Sequence, residues 1–337
     1  MFRDQILEQV AVSLDISPSD FERARKRYTA ARNWLENGNY ISGKSVDIYL
    51  QGSFRLGTVV RPYRNKDDAD YDIDQVCEIN GNDTSAKDLK HDVGNRLKAH
   101  GDYSRMLDDE GRRCWTLRYA SAESTPGFHL DVLPSQKNVF SGTNIRITHR
   151  GSQNYVWRES NPRGYYLWFK SKNPIDDAFF HEKRAAILKR AEGVYARVED
   201  IPKELVRTPL QRAVQILKRH RDVQFDGKPN RPISIIITTI CAHLYHQGSI
   251  DDTITRFISY VKDRLETVVG GRNPSPDGIL DYNNGKWQIL NPTNDRENFA
   301  DRWADKPELA KAFFAWVYQL SRLKFPRGYL LLFDITT

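Results

Sequence analysis

The stretch that decides the fold is DDADYDIDQVCEI, residues 67–79, in which an acidic run leads into an alternating apolar and polar segment. That alternation predicts a β-strand with one buried face. Side chains alternate along a strand, so Asp70, Asp72 and Asp74 are expected to share one face. A solvated turn is the usual interpretation of an acidic run, but three like charges on one strand face repel each other unless a cation lies among them. The pattern therefore predicts a site for Mg²⁺, Mn²⁺ or Ca²⁺, which prefer oxygen ligands.

A second predicted strand, GFHLDVLP at residues 127–134, carries another carboxylate. Its apolar residues share one face, which leaves His129 and Asp131 on the other face. Aspartate is depleted in strands, so Asp131 needs an explanation. Alone it would suit an edge or a turn, whereas beside Asp72 and Asp74 it could be the third metal ligand. His129 could lie at the rim of that site or be structural.

Upstream, the strand VDIYLQ (46–51) runs into GSFRLGT. Gly52 would let the backbone approach a phosphate closely, and Ser53 adds a hydroxyl donor at a point where free N–H groups suit an anion. Arg55 could also reach a phosphate. A Gly-Ser pair at a strand end, followed in the next strand by Asp-x-Asp, is more specific than the pair alone.

The amino-terminal half is predicted to form a mixed sheet with flanking helices. The first forty residues have helical spacing of their apolar residues, and a further helix is expected over 85–100, ended by Gly101. The predicted strands are 46–51, 71–79, 114–120 and 127–134.

The carboxy-terminal half is predicted to be mostly helical, because apolar residues recur at three- and four-residue spacing. The expected helices are 210–221, 233–246, 253–265 and 307–323. Loops are expected at the glycine- and proline-rich stretches. These are 270–278 and 283–293, and the segment 170–205 that joins the halves has no clear assignment.

Composition narrows the class of protein. The 337 residues carry a net charge of +7, with 39% hydrophobic and 28% charged residues, as in soluble globular proteins. The charge alone leaves direct nucleic-acid binding open. No apolar stretch reaches the ~20 residues of a membrane span, the amino terminus does not look like a signal peptide, and the three widely spaced cysteines argue against disulfides. We expect a cytoplasmic protein with no membrane association.

Five segments together resemble a known family. Gly-Ser, then Asp-x-Asp, then a third strand aspartate is the pattern of the DNA polymerase β-like nucleotidyltransferase superfamily. More closely, the segments look like the CD-NTases, the cGAS/DncV-like nucleotidyltransferases of bacterial CBASS anti-phage systems. They are QGSFRLGTVVRP, DYDIDQVCEI, FHLDVLPS, TPLQRAVQILKRHRD and RPISIIITT.

This resemblance implies an α+β fold with a polymerase-β-like nucleotidyltransferase domain and a helical carboxy-terminal domain of the OAS/poly(A) polymerase type. The domains would span 1–170 and 171–337, with the active site in the cleft between them. The catalytic residues and ligands of two Mg²⁺ ions (Mn²⁺ a possible substitute) would be Asp72, Asp74 and Asp131, with Asp70 outside the motif.

The resemblance also implies a nucleotide-binding set, namely Gly52, Ser53, Arg55, Lys218 and Ser234. Lys218 and Ser234 match the family by context. The alternative for Lys218 is the solvated face of a helix, and the alternative for Ser234 is a plain helix cap after Pro232.

The implied activity is synthesis of a cyclic di- or trinucleotide second messenger from nucleoside triphosphates, ATP and/or GTP, with release of pyrophosphate. Its partner would be an effector protein that the product activates, without direct contact between the two proteins. The alternatives are a template-independent RNA-tailing nucleotidyltransferase and an inactive sensor that binds RNA or protein. The zinc ribbon of the animal DNA sensor has no counterpart among the three scattered cysteines of this chain. Direct DNA sensing is therefore in doubt.

Overall fold

The computed structural model describes residues 2–322, apart from 62, 65–66, 69–70, 82, 121–126, 139–141 and 192. The elements as far as residue 160 are α1 (Phe2–Ser13), α2 (Pro18–Glu36), β1 (Gly43–Gln51), α3 (Gly52–Leu56), β2 (Tyr63–Arg64), β3 (Asp67–Asp68), β4 (Tyr71–Gly81), α4 (Ala86–Lys98), α5 (Gly101–Met106), β5 (Trp115–Tyr119), β6 (Phe128–Lys137), β7 (Ile145–Arg150) and β8 (Tyr155–Ser160).

The later elements are mostly helical. They are α6 (Pro162–Lys172), α7 (Asp177–Leu188), α8 (Pro209–Gln224), α9 (Ser234–Leu244), α10 (Ile250–Val269), β9 (Asp281–Asn283), β10 (Lys286–Gln288), β11 (Leu290–Asn291), β12 (Asn294–Asn298) and α11 (Pro307–Arg322). Short 3₁₀ turns cover Val198–Asp200, Lys203–Leu205 and Asp301–Trp303. Among the described helices, none is both long enough and apolar enough to cross a membrane.

The sheet is mixed, as the alternating segments predicted. Its strand order is β1–β4–β6–β7–β8, and β5 pairs with β6 as well. Strand β4 runs parallel to β6 and antiparallel to β1. Tyr71, Ile73 and Gln75 are buried on one face of β4, while Asp72 is exposed on the other. The α+β fold class and the predicted face of the Asp-x-Asp pair are therefore confirmed.

Two large hydrophobic cores lie on either side of the predicted domain boundary at 170/171. One combines the sheet with α2 and α4, and the other is built mainly from α8–α11. Packing crosses the boundary in both directions. Leu7 and Val10 of α1 belong to the helical core, and Ile187 and Leu205 belong to the sheet core. The division into 1–170 and 171–337 stays a prediction.

The predicted helix over 85–100 is wrong at its end. Helix α4 ends at Lys98, and Gly101 begins α5 rather than ending a helix. The reason is a side-chain cap, because His100 Nδ1 accepts hydrogen bonds from the backbone N–H groups of Asp102 and Tyr103.

The predicted loop at 283–293 is also wrong in part. It contains β10 and β11, and β10 forms a hairpin with β9. The turn residues Asn284 and Gly285 have φ values of 50° and 77°, which is the backbone of a two-residue hairpin turn. Strands β7 and β8 were not predicted, since charged and polar residues in IRITHR and YVWRES weaken the alternating signal.

Candidate active site

The two predicted carboxylate strands lie side by side. In the parallel pairing of β4 with β6, Asp74 is opposite Asp131 and Asp72 is opposite His129. Because Asp72 and Asp74 are two residues apart, their side chains point to the same face. The sheet therefore brings three aspartates together at one face, as the sequence predicted.

Close packing of these charges changes their proton affinity. Partial burial, together with the negative charges of Asp131 and Asp72, raises the pKa of Asp74 to about 7. The pKa of Asp131 is also raised, chiefly by burial, although a hydrogen bond from Thr116 opposes the shift. A cation bound among these groups would relieve the repulsion that the raised pKa of Asp74 reports.

Asp131 and Asp72 each contact a neighbouring side chain. Asp131 Oδ1 accepts a hydrogen bond from the Thr116 hydroxyl at 2.5 Å. His129 Nδ1 lies 3.3 Å from Asp72 Oδ1, so His129 lines the site and is not remote from it. Thr116 lies on β5, directly opposite Asp131.

Gly52 is held against Asp74 at the end of β1. Gln51, the last residue of β1, pairs with Asp74, and Gly52 then begins α3 with a φ of 65°. A Cβ added to Gly52 would lie 2.0 Å from Asp74 Oδ2. Only glycine fits this position, because another side chain would meet the carboxylate and strain the backbone.

These elements line one large cleft with a volume of about 1020 Å³. The helical half supplies one wall and the sheet supplies the other. The predicted residues that line it are Gly52, Ser53, Asp72, Asp74, Lys218 and Ser234. Asp131 is not among the described lining residues, since its carboxylate is turned toward Thr116.

Lys218 is not on a solvated helix face. Its side chain is buried, and its Nζ donates a hydrogen bond to the Thr58 carbonyl at 2.8 Å. Burial and the nearby Arg221 guanidinium lower the Lys218 pKa to about 8, while Asp222 and Asp74 partly oppose this shift. Lys218 therefore joins α8 to the turn that follows Gly52 and Ser53.

The cap interpretation of Ser234 is wrong. The cap residue of α9 is Ile233, which has no side-chain hydrogen bond, and Ser234 is the first helical residue. The Ser234 hydroxyl instead accepts a hydrogen bond from Arg221 Nη1 at 2.8 Å. Proline at position 232 thus precedes the cap by one residue.

Arg55 does not line the cleft, and its contact with a phosphate stays a prediction. Its guanidinium lies 4.2 Å from the Tyr166 ring centre, and its Nη1 donates to the Leu50 carbonyl. It lines a separate cavity and is not among the described residues of the cleft. Residues two apart on a helix face opposite sides, so Arg55 turns away from the cleft that Ser53 lines. Asp70 lies outside the described residues.

Sequence reasoning missed several polar residues of the cleft. Arg118, on β5, lies opposite His129 in the sheet, a pairing that no local pattern reveals. Arg231 Nη1 is 3.4 Å from the Asp222 carboxylate, which also binds Arg221 at 2.6 Å. Lys228 also lines the cleft. Its position just after α8 is the sequence signal that could have identified it as a cleft residue.

The carboxylate oxygens of the three aspartates are chemically suited to bind a hard divalent cation. Across the described part of the chain, no three His, Cys, Asp or Glu side chains are already gathered as a metal-ligand set. The three aspartates nevertheless offer only oxygen donors, which Mg²⁺ and Mn²⁺ prefer.

Comparison with known proteins places this site in a family. A model described as "Second Messenger Oligonucleotide or Dinucleotide Synthetase domain" matches residues 1–173, more than half of the chain. A "c-di-GMP synthase" of Roseivirga ehrenbergii is 31% identical over 94% of this chain and 77% of its own length. The "Cyclic dinucleotide synthase CdnG" of Bradyrhizobium diazoefficiens is 27% identical over 90% of this chain and 70% of its own length.

Solved structures agree on the fold. The structure of the Bradyrhizobium diazoefficiens CD-NTase CdnG in complex with GTP has a TM-score of 0.75 and 22% identity, and the match covers 94% of this chain and 90% of that one. The structure of Escherichia coli CdnC with ATP has a TM-score of 0.60 and 14% identity, covering 98% and 96%. The chain belongs to the second messenger oligonucleotide or dinucleotide synthetases, the CD-NTase family of polymerase β-like nucleotidyltransferases.

Proposed function

We propose that this chain is a metal-dependent nucleotidyltransferase that joins two nucleoside triphosphates, GTP foremost, into a cyclic dinucleotide and releases pyrophosphate. The observation that carries the proposal is the meeting of the Asp72–Asp74 pair with Gly52 and Lys218 in one cleft. A binding module has no need of such crowded carboxylates, among which burial, followed by the charges of Asp131 and Asp72, raises the pKa of Asp74 to about 7.

The triphosphate would lie between the end of β1 and α8. Gly52 has no side chain, which lets phosphate oxygens come close to the backbone, and the Ser53 hydroxyl adds a donor. Lys218 would supply positive charge from the opposite wall, and Ser234 a further hydroxyl. Because Lys218 already hydrogen-bonds the Thr58 carbonyl, it also fixes the turn that carries Ser53.

The acidic face would carry the chemistry. Asp72, Asp74 and Asp131 would hold two divalent ions, Mg²⁺ or Mn²⁺, which when bound supply Lewis-acid charge to the attacking and leaving oxygens. A ribose hydroxyl oxygen of one nucleotide forms a bond to the α-phosphorus of the other, and the bond to the β-phosphate oxygen breaks. Asp131 would accept the hydroxyl proton once its carboxylate turns from Thr116 toward the cleft.

A second transfer would close the ring. The linear intermediate keeps its own triphosphate, so it can turn round in the cleft and present its free hydroxyl to the same catalytic face. Each bond formed releases one pyrophosphate. A cleft of about 1020 Å³ has room for two nucleotides.

The preference for guanine rests on the relatives. One relative is named a c-di-GMP synthase, and it is 31% identical across 94% of this chain. We extend that product to this chain, and with it a role in anti-phage signalling in which an effector protein responds to the cyclic nucleotide.

A primer-free assay tests the proposal. Purified protein is incubated with Mg²⁺ and each α-labelled triphosphate in turn, and the products are treated with phosphatase. We expect a phosphatase-resistant product from GTP alone, because a cyclic dinucleotide has no terminal phosphate. A product that appears only when an RNA primer is supplied, and that grows by single nucleotides, would instead identify an RNA-tailing enzyme.

A further inference from the structure

The direction of the Asp131 carboxylate sets it apart from the other two aspartates of the site. In the sheet Asp131 pairs with Asp74 of β4 on one side and with Thr116 of β5 on the other. The Thr116 hydroxyl donates a hydrogen bond to Asp131 Oδ1 at 2.5 Å. Asp72 and Asp74 line the cleft, whereas Asp131 is not among its described lining residues. The third carboxylate is therefore withdrawn toward β5.

Electrostatic repulsion explains why Asp131 leans away from its neighbours. Burial, followed by the charges of Asp131 and Asp72, raises the pKa of Asp74 to about 7, so each of these carboxylates disfavours charge on the others. On the β5 side Asp131 meets a hydroxyl donor instead. A hydrogen bond to a carboxylate is stronger than one between neutral groups. The contact with Thr116 therefore stabilises a charged Asp131 at a distance from Asp74.

The fold of β5 does not call for a hydroxyl at position 116. The neighbouring residues Trp115 and Leu117 are buried in the sheet core and hold the strand in place. Valine has nearly the same shape as threonine and suits a strand equally well. Among the described residues, Asp131 is the one hydrogen-bond partner of the Thr116 hydroxyl. The contact with Asp131 is therefore what distinguishes threonine from valine here.

A cation bound among the aspartates would reverse this balance. Its charge would remove the repulsion between Asp131 and the Asp72–Asp74 pair, and carboxylate oxygens are preferred ligands of Mg²⁺ and Mn²⁺. Asp72 and Asp74 already face the cleft, so Asp131 is the carboxylate that has to move. Rotation of its side chain is enough, because Asp131 lies directly beside Asp74 in the sheet.

We propose that Thr116 is a positioning residue that holds Asp131 withdrawn in the metal-free protein and releases it when a divalent cation binds. The inference rests on the proposed function, which makes Asp131 a ligand of the catalytic metal site. The catalytic arrangement of the three aspartates then forms only together with the cation. Because the Thr116 hydrogen bond must first break, this residue lowers the apparent affinity of the site for metal.

Metal binding in the absence of nucleotide tests the proposal. Full-length wild type and Thr116→Val are titrated with Mn²⁺, and free Mn²⁺ is measured by electron paramagnetic resonance. We expect Thr116→Val to bind Mn²⁺ about tenfold more tightly, because a hydrogen bond to a charged group no longer competes with the metal. Thr116→Ser keeps the hydroxyl and should bind Mn²⁺ like the wild type.

Thr148→Val is the matched control. Thr148 lies on β7 and is fully buried, and its hydroxyl has no hydrogen-bond partner among the described residues. This variant should bind Mn²⁺ like the wild type. In the synthesis assay, the Mg²⁺ concentration that gives half-maximal activity should fall in Thr116→Val and stay unchanged in Thr148→Val. A merely structural role of Thr116 would lower the melting temperature without tightening metal binding.

Three results would overturn the proposal. The first is Mn²⁺ binding by Thr116→Val that is equal to or weaker than that of the wild type. The second is an equal gain in affinity in Thr148→Val. The third is a crystal structure with Mn²⁺ bound in which Thr116 still donates to Asp131. Failure of the proposed function is distinguishable from these, because it would appear as the absence of a cyclic product from the wild type.

Discussion

At the scale of single residues, the site depends on the contact between Gly52 and Asp74. A Cβ at position 52 would stand 2.0 Å from Asp74 Oδ2, and the φ of 65° disfavours any side chain. We predict that Gly52→Ala lowers turnover at least tenfold, because Asp74 must move to make room. The backbone strain alone would cost about 1–2 kcal/mol of stability. Steady-state kinetics and thermal unfolding measure the two effects.

Gly271→Ala is the matched control for this change. Gly271 has a similar φ of 74°, but nothing lies within 4 Å of its added Cβ. It should show the loss of stability without the loss of turnover. Equal turnover in Gly52→Ala and Gly271→Ala would show that the close approach to Asp74 does not matter.

Several residue roles could be predicted because strand geometry is local. The two-residue alternation of Asp72 and Asp74 set their common face, and the same argument applied to Asp131. The direction of the Asp131 carboxylate could not be predicted, because Thr116 reaches it from another strand. The position of Arg55 outside the cleft could not be predicted for a related reason, because nearness in sequence to Ser53 does not show that the two side chains lie on opposite sides of a helical turn.

At the scale of secondary-structure elements, α8 holds the turn that follows Gly52 and Ser53, the residues proposed to bind phosphate. Its side chains donate hydrogen bonds to three backbone carbonyls at the end of α3 and just beyond it. Gln211 bonds to Leu56 O, Lys218 to Thr58 O and Gln215 to Val59 O, each at 2.8 Å. Helix α8 therefore contributes to the cleft by holding this turn in position, and not only through its charged side chains.

We predict that Gln215→Leu lowers kcat severalfold although Gln215 is not among the described cleft residues. The substitution leaves the buried Val59 carbonyl without its donor, so the turn carrying Thr58 loosens. Conservative replacement by Glu would not restore the bond, because a carboxylate cannot donate it. Gln224→Leu, at the end of the same helix, should keep full turnover, and equal losses in both variants would refute a positioning role.

The helical layer should also impose a pH dependence. His220 on α8 accepts a hydrogen bond from Trp316 Nε1 at 2.8 Å, and burial lowers the His220 pKa to about 4. The unfolded chain, with an ordinary pKa near 6.5, binds a proton that the folded state refuses. Stability should therefore fall as pH drops from about 6.5 toward 4.

His220→Gln isolates this contribution. We predict that the free energy of unfolding of the variant changes less steeply with pH across that window, by up to about 1.4 kcal/mol per pH unit. Denaturant unfolding at a series of pH values measures the slopes. Identical slopes in variant and wild type would mean that His220 is not held neutral.

Physical reasons also explain which helices and strands could be predicted from the sequence and which could not. Long helices such as α8 and α10 could be predicted from their spacing, because many apolar residues repeat the same pattern. The end of α4 could not, because a single side-chain cap from His100 starts a new helix. The short strands β9 and β10 had an Asn-Gly signal that was assigned to a loop.

At the scale of the whole molecule, the cleft gathers charges of both signs from the two halves of the chain. Asp72 and Asp74 come from the sheet, whereas Lys218 and Arg231 come from the helical half. The net charge of +7 therefore says little by itself. The meeting of carboxylates and cations in one cleft is what suits a metal-bound triphosphate.

The most direct measurement of the central claim is mass spectrometry of the product that the full-length protein makes from all four triphosphates with Mg²⁺. We predict a phosphatase-resistant cyclic dinucleotide containing guanine, with one pyrophosphate released for each bond formed. We also predict no product from Asp72→Asn with Asp74→Asn, a variant that should keep its fold and, in the absence of metal, lose no stability. A cyclic product that persists in the double variant with Mg²⁺, or only linear chains from the wild type, would contradict it.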